Sequence, residues 1–330
     1  MTPQQRRALD RLARQARTLS PELVAAILAA FKLVRERMPM AEVERLIRAG
    51  RITEVVNAAA PAELIERALN PATRVLTEGV LRGMRGTVPM LPARAREISA
   101  LFNTLNPNVL TAIQDLDTKV LRSLVPEIRE TMRAAVEAGL RDGTSAREMA
   151  RGLRESIGLA PNQAEAVTNF RRMLEGGPRT PVYKGALQTP VRDRRFDAAI
   201  KRAMKNGERL TPEQVDRFTE AYQRRFIARN AEAHARTAAV DAQKVGQQLA
   251  WQEAKESGAL GDAEVEVVWV TNLDGRERPE HNAANGITRP LDGVYTEGEV
   301  AGQSYPGEGE WNCRCSEIMR VKRPNYSLAA

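Results

Sequence analysis

The spacing of apolar residues changes once along this chain, near residue 260, from three-and-four to strict alternation. The first period is that of an α-helix buried along one stripe, and the second is that of a half-buried strand. The chain must therefore combine a long helical part with a short β-containing part. "SPELVAAILAAFKLVRERMP" places Leu23, Ile27, Phe31 and Val34 on one face, with Ser20 expected as N-cap, Pro21 at the first helical position and a stop before Pro39. Further short helices such as "AEVERLIRAG", closed by Gly50, are expected between Pro61, Pro71, Pro89 and Pro92. The first hundred residues thus read as a helical assembly with many corners.

From Pro107 the positions Leu110, Ile113, Val120, Leu124 and Ile128 keep helical spacing to about Gly139, with Pro126 as a kink or break. "GTSAREMARGLRESIGL" contains a capping box, Ser145 with Glu148, and closes at Gly158. Another helix is expected from Pro161 to Gly176 and Gly177, followed by "PRTPVYKGALQTPVRDRR" as the best linker segment. Thr211 to Gln214 then caps a long helical run reaching Gly258. Beyond it, "AEVEVVWVTN" sets Val265, Val267 and Trp269 on one face of a strand, and "LDGRE" is a turn. A second strand in "GEWNCRCSEIMRVKR" would put Trp311, Cys313, Cys315, Met319 and Val321 on one side. The expected class is α+β: a mostly α-helical extended body with a small C-terminal domain containing a few antiparallel strands. The parts are an N-terminal helical region over 1–105, a helical body over 106–260 with a linker near 177–195, and the small domain over 261–330.

At 330 residues and 42 % hydrophobic, the chain can build cores for two or three domains. Its two cysteines exclude a disulfide framework. "MTPQQRRALDRLARQAR" lacks the apolar core of a signal peptide and no stretch approaches a membrane span, so a soluble chain made in the cytoplasm is expected. Residues 261–330 hold 7 basic and 12 acidic side chains, a net of −5, which leaves +13 on residues 1–260. A basic body suits phosphate backbones or acidic protein faces, and equally the solvated outer faces of Arg/Glu-rich helices. Aromatic content of 4 % argues against base-stacking platforms. P-loop, strand-linked GxGxxG, HExxH and GxSxG patterns are all missing from the sequence.

Three readings arise for the chemistry-bearing residues of the last part. His281 with Cys313 and Cys315, completed by Asp274 or water, is a donor set that zinc accepts, although one His with a C-x-C pair is an atypical spacing. As an enzyme, His281 and Glu280 would form an acid/base pair with Arg276 or Arg278 on a phosphate. The plainest reading makes the two cysteines small apolar groups on a buried face, with an Asp–Arg network fixing the turn. A disulfide between Cys313 and Cys315 is disfavoured, because side chains two apart on a strand run parallel with Cα atoms about 6.6 Å apart.

The pieces in order, Trp269, Asp274, Arg276, Arg278, His281, Gly286, "DGVYTEGE", Tyr305-Pro306-Gly307 and Asn312-Cys313-Arg314-Cys315, closely resemble the C-terminal signature of phage Mu F-like minor head proteins, also described as phage head morphogenesis or minor capsid proteins. "GTSAREMARGLRESIGLAPNQAEAVTNFRRML" resembles the helical region that precedes that signature, so the likeness spans residues 108–323. One departure is Arg236-Thr237-Ala238, where the family's long helix commonly reads Arg-Thr-Glu. The resemblance implies a low-copy, non-enzymatic virion protein inside the head near the portal vertex, present in the host cytoplasm during assembly. It implies the portal, major capsid and scaffold proteins as partners, nonspecific contact with double-stranded DNA, a part in genome packaging or ejection, and no membrane span. No cofactor is expected, and the resemblance leaves open whether His281 and the cysteines organise the small domain with or without metal, zinc being the one ion they could take. The alternative is that the small domain is a nuclease or metal-dependent effector delivered with the genome.

Overall fold

The computed structural model describes residues 3–177, 180–272 and 275–322. Helices form wherever the apolar period is near 3.6: α1 (Pro3–Arg37), α2 (Met40–Arg48), α3 (Ile52–Ala59), α4 (Ala62–Thr87), α5 (Pro107–Val120), α6 (Leu124–Arg141), α7 (Ala146–Ser156), α8 (Pro161–Glu175), α9 (Thr180–Gln188), α10 (Asp197–Asn206) and α11 (Pro212–Glu256). The alternating region supplies β1 (Val265–Val270), α12 (Pro279–Ala283), β2 (Thr288–Pro290) and β3 (Ser316–Val321). The expected class holds, mostly helical α+β with one small antiparallel sheet in the order β2-β1-β3. Among the described residues, no helix is long and apolar enough to cross a membrane.

Several prolines behave differently from expectation. Pro21 lies inside α1 and Ser20 is not its cap, and Pro71 lies inside α4 rather than between helices. An internal proline costs a helix about 3 kcal/mol. Here the flanking stripe Leu19, Leu23, Ile27, Phe31 and Val34 is buried, as are Leu69, Ala72 and Leu76, and that packing outweighs the lost hydrogen bond. The break expected at Pro126 falls earlier, between α5 and α6, and Pro126 sits in the first turn of α6, where its missing N–H had no partner to lose. The segment near 177–195 is not a linker. It contains α9, whose Tyr183 and Ala186 are fully buried, and the Tyr183 hydroxyl accepts the Leu210 N–H at 3.0 Å.

The described residues group into two compact units, one drawn from Met1–Leu23, Pro71–Arg122 and Ala233–Ala330, the other from Val24–Asn70 and Ser123–Glu232. Both units cut across the expected partition into 1–105, 106–260 and 261–330. Each unit collects segments distant in sequence, which a shift in composition along the chain cannot mark.

In the second unit α2 packs on α3 and α7, α6 on α3, α7 and α8, and α9 on α8 and α10. Phe170, Tyr183, Ile200, Leu210, Phe218 and Tyr222 share one core, with the Phe170 and Tyr222 rings 4.4 Å apart. The Ser145–Glu148 capping box opens α7 as expected. Asp193, buried before α10, accepts hydrogen bonds from the Arg195 guanidinium at 2.6 and 3.0 Å and from the Arg195 backbone N–H at 3.1 Å. The Arg195 side chain, against the opposing effect of burial, holds its carboxyl down at about 2. A folded-state value below the ordinary one stabilises above pH 4 or so, and the gain is lost as pH falls through 2. Because Arg195 is 80 % exposed, solvent screens the pair and Asp193→Asn should cost only about 1 kcal/mol near pH 6. Urea melts should show that difference shrinking toward zero as pH approaches 2; a difference independent of pH would contradict it.

The first unit is organised by close approach of α4 and the second half of α11, where Gly83 and Gly246 face one another. A core of Leu91, Trp251, Leu260, Val265, Val267, Leu291 and Met319 seats one face of the sheet against the end of α11. Val265, Val267 and Trp269 are buried on β1 as their alternation predicts. On β3 the alternation fails, since Glu317, Ile318 and Met319 are all buried. Glu317 is covered because it pairs with Arg289 of β2 at 2.9 Å.

Candidate metal centre

The turn carrying His281 is fastened to the end of β1. The Trp269 N–H donates to Ile287 O and the Gly286 N–H to Trp269 O, each at 2.9 Å. Two residues further on, the Thr271 hydroxyl donates to His281 O at 2.7 Å and the Thr271 N–H donates to Asn285 Oδ1 at 3.0 Å. The Trp269 ring meets both His281 and Tyr295 edge-on, with centroids 5.3 and 5.1 Å away. The imidazole is thereby set in one orientation, 2 % exposed.

The cysteines arrive from the other side on irregular chain just past a turn at Trp311 and Asn312, not on a strand. Asn312 adopts a left-handed φ of 60°, which ends any extension before Cys313, and β3 begins only at Ser316. Two residues of α11 hold that turn: the Thr237 hydroxyl accepts the Asn312 N–H, and Arg236 donates to Asn312 Oδ1, both at 3.1 Å. Ala238, standing where the resembled family commonly has Glu, is fully buried. Trp311 does not share the buried side expected for it; it is 39 % exposed and rests edge-on against His234. Gly307 has φ +73°, and a Cβ there would lie 2.3 Å from Cys313 Cβ, so only glycine lets "YPG" pass this close to the first cysteine.

These elements converge on three donors. Cys313 Sγ and Cys315 Sγ lie 3.6 and 3.7 Å from His281 Nδ1, and all three donor atoms lie within 4.8 Å of one another. Both cysteines are free and buried, in one apolar cluster with Trp269, Ala284, Tyr295 and Val300. His281 Nε2 faces the Glu310 carboxylate at 3.0 Å. A carboxylate offers only lone pairs, so the ring proton belongs on Nε2 and Nδ1 turns its own lone pair to the sulfurs. Glu310 is itself held by the Gln303 amide at 3.0 Å and by the Arg278 guanidinium.

Charge is arranged to favour anionic sulfur. The Lys244 ammonium, 4 % exposed, donates to Pro306 O at 2.6 Å, stands 3.5 Å from Asp241 and 5.7 Å from the Tyr305 ring centroid. Burial alone would lower the Lys244 pKa, but Asp241 and the two cysteines raise it, so the ammonium stays charged. Burial pushes the Asp241 carboxyl up to about 7, with Lys244 opposing. The hydrogen bond between the two sulfur groups pulls the Cys313 thiol down, with Lys244 helping against burial, and pushes the Cys315 thiol up.

No family model, no curated protein and no solved structure matches the chain. The site is therefore read from its own atoms. Asp274, the carboxylate considered as a fourth ligand, lies outside the described residues. Arg276 is exposed and its backbone N–H meets Glu277 at 3.1 Å, while Arg314 is half-buried. The pairing of His281 with Glu280 is replaced by one with Glu310; Glu280 instead lines a separate cleft with Pro279, Ile287, Glu299 and Val300. Sequence reasoning missed Glu310, Gln303, Thr271, Asp241 and Lys244. Asp241 and Lys244 did carry a signal, since they are charges among the buried alanines Ala235, Ala238, Ala239 and Ala242 of α11.

Proposed function

We propose that the chain is a non-enzymatic minor capsid protein of a tailed-phage head, acting at the portal vertex in head assembly, with the small C-terminal part as a rigid docking module. One observation carries this reading: the residues behind the resemblance share a single structural task. Trp269 orients His281, Arg278 holds Glu310, Pro306 receives Lys244, Gly307 and Asn312 shape the turn, and Cys313 and Cys315 meet the imidazole. A non-catalytic role is supported by the same geometry. His281 is 2 % exposed and both its ring nitrogens are engaged, which leaves no path for a substrate to reach it.

Nonspecific DNA contact is best supported in the second unit. Arg195, Arg217 and Arg224 share an open cleft of about 540 Å³ with Phe196, whose ring lies 5.9 and 5.3 Å from the Arg195 and Arg217 guanidinium carbons. Arg195 also pairs with Asp193 and Arg224 with Glu220, as Arg45 pairs with Glu42 and Arg82 with Glu78 elsewhere, and exposed pairs of this kind exchange readily for phosphate contacts. Replacing the three cleft arginines with alanine should weaken duplex binding at every sequence and lower the slope of log K against log salt by about 2.7. An unchanged slope would move the contact elsewhere.

The head role is tested with particles made without the chain. Heads from such infections should be defective in assembly or infectivity and recover when the chain is supplied. Normal particles and normal infection in its absence reject the proposal.

A further inference from the structure

The one cluster of soft donors among the described residues that outgrows a packing explanation is His281, Cys313 and Cys315. Two sulfurs lie at nearly equal distances, 3.6 and 3.7 Å, from the same ring nitrogen. A neutral imidazole nitrogen has one in-plane lone pair and can accept one S–H hydrogen bond, so a hydrogen-bonded cluster needs only one sulfur there. Three donor atoms within 4.8 Å of one another are the spacing that a single ion requires. In a tetrahedral zinc site with Zn–S about 2.3 Å and Zn–N about 2.0 Å, sulfur and nitrogen lie about 3.5 Å apart. The observed sulfur–nitrogen separations, 3.6 and 3.7 Å, lie within about 0.2 Å of that value.

We infer that this chain binds one zinc ion through His281 Nδ1, Cys313 Sγ and Cys315 Sγ, the fourth position being completed by water or another oxygen donor. Two thiolates and an imidazole form a set that selects zinc among the common divalent ions. The surroundings are those of a metal site. Glu310 accepts from the Nε2–H of the ligating histidine, and such a carboxylate fixes the ring and strengthens the donor. Two thiolates neutralise a divalent ion, so the enclosed site need hold no net charge. The burial of all three donors makes the role structural, joining the turn after β1 to the turn before β3. The inference rests on donor geometry alone and stands or falls independently of the head proposal.

The test uses the full chain. Elemental analysis after purification in buffer supplemented with zinc should give one zinc per chain, and chelation should lower the melting temperature. Titrating the metal-free protein with Co²⁺ should produce a thiolate-to-cobalt charge-transfer band that saturates at one equivalent. Cys313→Ser, Cys315→Ser and His281→Asn should each abolish stoichiometric binding. Should those variants fail to fold, Glu310→Gln keeps all three donors and should bind zinc about 10 to 100 times more weakly. Protein free of zinc together with no charge-transfer band on cobalt addition overturns the inference. So does zinc affinity unchanged by Glu310→Gln, which would put the ion elsewhere.

Discussion

Glu317→Ala is expected to destabilise the protein by about 3–5 kcal/mol, because it leaves a buried guanidinium without its counter-charge. Arg289 and Glu317 side chains are 1 % and 0 % exposed and meet at 2.9 Å. The carboxylate also accepts from the Gln248 amide at 3.1 Å and the Tyr295 hydroxyl at 3.3 Å, while Arg289 donates to Pro290 O and Leu291 O, both at 2.9 Å. Burial pushes the Glu317 carboxyl up, with Arg289 opposing, which is the signature of a desolvation cost that the pair does not fully offset. The double replacement Arg289→Met, Glu317→Leu should therefore cost much less than the single one. Denaturant melts of the three variants decide it, and a single variant no worse than the double would show that the pair is not the unit assumed here. Since β3 follows Cys315 directly, loss of this pair should also loosen the cysteine turn.

Gly246→Ala should cost about 3 kcal/mol, the upper end of what overpacking a tight core exacts. Helix propensity alone points the other way, favouring alanine by about 1 kcal/mol. Contact decides the sign: a Cβ at 246 would lie 2.2 Å from Val80 O, 2.9 Å from Met84 N and 3.0 Å from Gly83 Cα. Backbone cannot swing aside as a flexible side-chain end can, so α4 and α11 must separate. Gly152, with nothing within 4 Å in α7, is the control, and Gly152→Ala should stabilise by about 0.5–1 kcal/mol. Equal effects at the two glycines would contradict the close helix contact.

What was legible in the sequence was what local rules govern. The Ser145–Glu148 cap, the apolar stripe Leu23 to Val34 and the alternation Val265, Val267, Trp269 all depend on neighbours within a few residues, and all stand in the structure. The prolines at 21 and 71 and the buried Tyr183 misled because tertiary packing overrode a local preference. The site was half legible. His281, Cys313 and Cys315 stand out by rarity, and their residue types allow a metal set, an acid/base role for the histidine or plain packing. The groups that tune them, Lys244 and Asp241 on α11 and Glu310 beside the turn, are common residue types whose importance arises only when distant segments meet. No spacing rule could pair Asn312 with Thr237, 75 positions apart, or Glu310 with His281, 29 positions apart.

The head proposal is tested most directly by where the chain lies in an assembled particle. Cross-linking of purified heads, read by mass spectrometry, should join the chain to the portal protein, and density at the portal vertex should accommodate its helices at a few to some tens of copies by the low-copy expectation the resemblance carries. Heads that contain no copy of the chain, or copies cross-linked to no portal subunit, would contradict the account.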